Sequence, residues 1–141
     1  MKDRKTILST LWIFVMFNYL YADFAMMIFK PSAYLKAVAK MPEGLVLGFA
    51  ALMEIAIAMV LLSRILKYKA NRWTNILAGA WFTIWVAMTL LGGKPPAFYM
   101  FFAAIEMACT LFIVWYAWKW PNPERQPGNT APGQGEHGVG A

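Results

Sequence analysis

Cysteine and histidine each occur once in the chain, as Cys109 and His137. With so few thiol and imidazole donors, disulfide frameworks, CxxC redox pairs, Cys/His zinc sites and bis-histidine haem ligation have no residues to form them. Charge is scarce as well: 14% of residues are Asp, Glu, Lys or Arg, against 60% hydrophobic. An average soluble domain is about 25% charged, so this composition excludes a soluble core, a Rossmann unit or a repeat solenoid. No basic segment alternates with aromatics, and the net charge of +6 therefore does not describe a nucleic-acid groove.

The apolar residues that remain fall into four runs free of Lys and Arg, at 6–29, 45–63, 73–91 and 97–118. Each is close to the roughly 20 residues that carry a helix across a bilayer. None has the period-2 alternation of a barrel strand, and in lipid a helix is the other way to satisfy the backbone internally. The expected fold is all-α: a polytopic membrane protein with a four-transmembrane-helix bundle over 1–120. The breaks agree with this. Lys30-Pro31 ends the first run, Pro42-Glu43-Gly44 precedes the second, the basic stretch 64–72 separates the middle pair, and Gly92-Gly93-Lys94-Pro95-Pro96 turns into the last.

Lys2, Arg4 and Lys5 precede the first run as they would in a secretory signal. The run is long, contains Asn18 and Asp23 and lacks a small-x-small cleavage site, so it is expected to remain as the first helix. Past Trp120, Pro and Gly alternate with no aromatic, and 121–141 is expected to be a disordered cytoplasmic tail, which would hold His137 away from any metal role.

Four spans put the N-terminus, the 64–72 connection and the C-terminus on one side. That side holds nine of the basic residues, and the other holds Lys30, Lys36, Lys40 and Lys94. The positive-inside bias predicts both termini in the cytoplasm of a cell whose inner membrane the chain crosses. Tyr68, Trp73, Trp115, Tyr116, Trp118 and Trp120 gather near the same boundary, as an interfacial aromatic belt does.

The two helical hairpins are faintly alike. FAALMEIA at 49–56 resembles FFAAIEMA at 101–108, and Ile7-Leu8 with Trp12 resembles Ile76-Leu77 with Trp81. Read as a parallel repeat, this sets Glu54 and Glu106 in equivalent places.

Chemistry, on this pattern, belongs to Asp23, Glu54 and Glu106. With a rise of about 1.5 Å per residue, Glu54 and Glu106 lie roughly 13 Å below the outer boundary and Asp23 roughly 9 Å below it. Ala50, Ala51 and Ala58 flank Glu54, and Ala103, Cys109 and Thr110 flank Glu106, so both stripes are expected to face the bundle interior. Tyr19 shares the face of Asp23 and is placed to donate a hydrogen bond to it. Asn18 and Thr110 complete the expected ligand- or proton-binding set. No Lys, Arg or His occurs in any run, and an uncompensated carboxylate at mid-membrane costs roughly 2.5–3.5 kcal/mol on insertion scales. The acids are relieved by protonation, by sharing protons, or by a bound cation. Alternatively, protonated glutamates serve only to lock helix packing.

The stretches TILSTLWIFVMFNYLYAD, MEIAIAMVLLSRILKYKANRW and FFAAIEMACTLFIVWYAWKW resemble a family of small bacterial four-helix membrane proteins known only as a domain of unknown function. The likeness covers residues 5–120. More distantly, size and topology look like the DoxX-like proteins, thought of as membrane partners of redox or stress-response systems. Such a resemblance implies a fold and a location, and carries no activity or cofactor to this chain.

Three functions compete at this level. The first is a bundle that binds a small hydrophobic or cationic molecule, or couples its movement to protons; a transporter of this kind resembles the small multidrug exporters, which use a membrane-buried Glu among aromatics. Unlike theirs, the uneven loop charge here fixes one orientation. The second is a noncatalytic subunit or homo-oligomer whose buried acids serve assembly with a membrane partner. The third is a lipid-modifying isomerase, similar in layout alone to the emopamil-binding type. No cofactor is expected, and membrane lipid is the expected surrounding.

Overall fold

A computed structural model describes residues 2–122; the segment expected to be a disordered tail lies almost wholly outside the described residues. The order of elements is α1 (Lys2–Phe29), α2 (Pro31–Ala39), α3 (Glu43–Ile65), α4 (Tyr68–Leu91) and α5 (Ala97–Trp118). Among the described residues every element is helical, and α1, α3, α4 and α5 are long and apolar enough to cross a membrane.

The helices begin and end where proline and glycine dictate. α1 contains neither residue over its 28 positions. Pro31 then occupies the first turn of α2, where its missing N–H is no loss. Pro42 and Pro96 sit at the N-caps of α3 and α5, and Gly92 at the C-cap of α4. Two departures from the expected spans follow. The connection after the first span is not plain loop: α2 forms there, with no buried residue. The basic stretch 64–72 is also mostly helical, since α3 continues to Ile65 and α4 starts at Tyr68. Charged side chains do not stop a helix; they stop its burial in hydrocarbon, so helix ends run past the apolar runs.

α1 packs against α3 and α5, and α4 packs against α5 and to a smaller extent α3. α1 and α4 therefore face each other across the bundle, and their contact is where the core is deepest. Trp12 of α1 and Phe82 of α4 are fully buried, ring edge to face with centroids 5.6 Å apart. Around them lie Leu8, Val15, Ala56, Met59 and Ile113. The outward surface is the reverse of a soluble protein's, with Phe17, Leu20, Leu47, Leu77 and Met88 exposed. Such a surface suits the hydrocarbon of a bilayer.

α4 and α5 approach closely at Gly79. A Cβ there would lie 2.8 Å from Val114 Cγ2 and 3.2 Å from the Thr110 carbonyl oxygen. Thr83 and Thr110 hydroxyls meet at 2.7 Å beside this contact. The N-terminal half of α3 is different: over 43–51 only Phe49 is even half-buried, and Gly44 and Gly48 have open space where a Cβ would be.

The end of the bundle at the α3–α4 connection is tied by the N-terminal basic residues. Lys5 Nζ donates to the carbonyls of Arg64 and Leu66 at the end of α3, and Arg4 donates to the Lys119 carbonyl at the end of α5. Cations at helix C-termini meet the negative end of the dipole. Arg4, Arg72 and Lys119 also lie over the rings of Tyr116, Trp118 and Trp115. Trp120 departs from the expected belt: it is buried against Tyr68, whose hydroxyl donates to the Trp120 carbonyl at 2.8 Å.

Candidate functional site: a buried carboxyl without a partner

Glu106 is the deeply placed acid. Nine residues into α5, it is 4% exposed and its Oε1 has no hydrogen-bond partner. Its backbone carbonyl accepts from Thr110 at 2.9 Å, so the helix itself is intact and only the carboxyl is left over. Tyr19 faces it from α1. The Tyr19 ring tilts against Phe82 with centroids 5.8 Å apart, and its hydroxyl is likewise buried with no partner. The bond from Tyr19 to Asp23 expected from their shared face is thus not made, because the ring is drawn inward by the Phe82 contact.

Asp23, one turn beyond Tyr19 on α1, is exposed, and residues 43–51 of α3, themselves exposed apart from Phe49, leave it uncovered. Tyr99, near the start of α5, is half-buried. Asp23 and Tyr19 of α1 and Tyr99 and Glu106 of α5 form one group of polar side chains in the half of the bundle toward the α4–α5 connection. Unpaired buried polar atoms are rare in native structures and ask for a water, an ion or a ligand; here two of them, on Tyr19 and Glu106, belong to the same group.

The other expected site residues are placed elsewhere. Glu54 is exposed on the outer surface of α3, not turned inward with Glu106. Leu52, Ala56 and Met59 take the core face of α3, which rotates Glu54 out toward lipid. The two glutamates set equivalent by the apparent repeat therefore lie in opposite surroundings. Asn18 donates to the Phe14 carbonyl of its own helix at 2.9 Å. The Thr110 hydroxyl, bonded to Glu106 O and shared with Thr83, knits α4 to α5 next to the site. Among the described residues no group of three or more His, Cys, Asp and Glu is arranged to hold a metal ion.

A second polar cluster, nearer the α3–α4 connection, joins α1, α3 and α4. Trp12 Nε1 and Ser63 Oγ both donate to Asn75 Oδ1, at 2.7 and 3.2 Å. Asn75 Nδ2 donates to Asn71 Oδ1 at 2.7 Å, and Asn71 Nδ2 to the Ser63 carbonyl at 2.6 Å. Each of these side chains is fully buried and satisfied. The spacing of Asn71 and Asn75, one helical turn apart, was the signal the sequence offered for this cluster.

Residues 1–126 match the profile of a family described as of unknown function, DUF6326. The chain belongs to this family. No curated protein and no solved structure matches it. For a DUF6326 protein, then, the arrangement of its own side chains is what bears on function: a satisfied polar cluster toward the α3–α4 connection, and an unsatisfied acidic one toward the α4–α5 connection.

Proposed function

We propose that this DUF6326 protein binds a small hydrophobic cation within the bilayer and exchanges it against protons, through Glu106 with Asp23, Tyr19 and Tyr99. The observation that carries this is the pair of unpartnered buried atoms, Glu106 Oε1 and Tyr19 Oη. No Lys, Arg or His lies in any of the four runs to neutralise a carboxylate at that depth. A cation seated between Glu106 and Asp23 satisfies the acids in one state, and protons satisfy them in the other. Ligand class follows from surroundings: apolar walls favour a hydrophobic body, aromatic rings favour a cationic head.

Uptake of a labelled lipophilic amine into proteoliposomes under an imposed proton gradient tests it. Glu106→Gln is expected to fold and to lose uptake. Undiminished uptake by that variant overturns the proposal.

A second reading, a subunit of a larger membrane assembly, is favoured by Glu54. It turns outward near mid-depth, beside an α3 face where Gly44 and Gly48 are open, and small residues of this kind let a neighbouring helix approach. For location we propose a bacterial inner membrane with both termini cytoplasmic, supported by the uneven distribution of basic residues. The distant likeness to DoxX-like proteins belongs to the same reading.

A further inference from the structure

α1 and α3 part along an open groove of about 680 Å³. Ile13, Phe17 and Leu20 form one wall, and Ile57 and Leu61 the other; Asp23 stands at one end and Arg64 at the opposite one. Arg64 Nε donates to Ser9 Oγ at 3.1 Å, which fixes the Arg64 end of the groove at the level of Ser9. From Ser9 to Asp23 the chain advances 14 residues of one helix, about 21 Å at 1.5 Å per residue. The groove therefore runs across most of the roughly 30 Å hydrocarbon thickness, and its rim residues Phe17 and Leu20, each 66% exposed, open it to lipid.

The two ends differ in charge. Arg64 is exposed at the inner end of α3, with Lys5 on its carbonyl and Lys67 within a turn. Asp3 is the one carboxylate among the described residues at that boundary. The Ser9 bond uses only Nε, and the guanidinium of an exposed arginine carries further donors of the kind that suit phosphate. At the far end Asp23 repels a second anion.

We propose that this groove binds an anionic phospholipid of the inner-side leaflet, with its phosphate on Arg64 and one acyl chain lying along Ile13, Phe17, Ile57 and Leu61. Charge complementarity at Arg64 selects the headgroup, and the apolar walls accept the chain. The headgroup end of this site, at Arg64, stands apart from the Glu106 group, which the groove meets only at Asp23, and it does not depend on the exchange of a cation there.

The test uses the full chain in phosphatidylcholine vesicles carrying a trace of spin-labelled phosphatidylglycerol or spin-labelled phosphatidylcholine. The fraction of each probe that is motionally restricted is read by electron spin resonance. Restriction of phosphatidylglycerol is expected to exceed that of phosphatidylcholine by about fivefold, the effect of one basic side chain at a membrane surface. Arg64→Gln should bring the two probes together, and Arg64→Lys should keep most of the preference. Ile57→Trp, at an exposed wall position, should lower restriction of phosphatidylglycerol while leaving the charge in place. Equal restriction of the two probes by the unaltered protein overturns the proposal. So does an unchanged preference in Arg64→Gln, or an unchanged restricted fraction in Ile57→Trp.

Discussion

Trp12 and Asn75, 63 positions apart in sequence, are joined by a buried hydrogen bond of 2.7 Å from the indole N–H to the amide oxygen. The bond crosses the bundle between the two helices that face each other, and Ser63 of α3 adds to the same oxygen. Removing the amide strands donors on two other helices. Asn75→Leu should lower detergent stability by about 1–3 kcal/mol, the cost of leaving buried polar groups unpaired. Trp12→Phe should cost less than the sum would suggest when combined with it, because both changes remove one interaction. A double-mutant cycle by thermal melting checks this, and strict additivity would contradict the contact.

Glu106 is expected to tolerate an amide and reject an ammonium. Glu106→Gln keeps shape and hydrogen-bonding capacity, so its melting should move by no more than about 1 kcal/mol, the size of one hydrogen bond. Glu106→Lys buries an uncompensated cation, worth about 3–5 kcal/mol for an unpaired buried charge, and should fail to assemble. If the Lys variant melts like the parent while the Gln variant unfolds, a packed carboxyl at this position is the wrong description.

Glu54 should behave in the opposite way. It faces outward, so Glu54→Leu is expected to leave the stability of an isolated bundle within about 0.5 kcal/mol, as for a position away from the core. If α3 packs against a neighbouring protein, the same change should release that neighbour on size-exclusion chromatography with the bundle still folded. A large loss of stability in the monomer would place Glu54 in the core instead.

Glycines on two helices separate close approach from open surface. Gly79→Ala meets the stiff Val114 side chain and a backbone carbonyl, and overpacking of about 1–3 kcal/mol should exceed the gain of about 1 kcal/mol from better helix propensity. Gly44→Ala and Gly48→Ala meet nothing within 4 Å and should gain that propensity outright. Melting curves of the three variants should therefore move in opposite directions.

Topology is tested by reporters. With nine basic residues on the side of both termini, a fusion after Ala141 should be active with a cytoplasmic reporter and silent with a periplasmic one. The converse pattern would reverse the orientation proposed for the bundle.

The sequence by itself determined that four helices of this chain are membrane-spanning in length and composition, and where they break, because hydrophobic length and the backbone chemistry of Pro and Gly are local. It also singled out Glu106 as an acid among small residues. It could not tell Glu106 from Glu54, since both sit on stripes of small residues and which stripe turns inward depends on how a helix rotates against its neighbours. Leu52, Ala56 and Met59 win the core on α3, and Glu54 is carried outward. The same holds for Tyr19, which the packing of Phe82 turns away from Asp23. Ser9, Ser63 and Asn71 each look unremarkable within their own helix. Only interhelical depth and rotation bring Ser63 and Asn71 onto Asn75, and set Ser9 beneath Arg64.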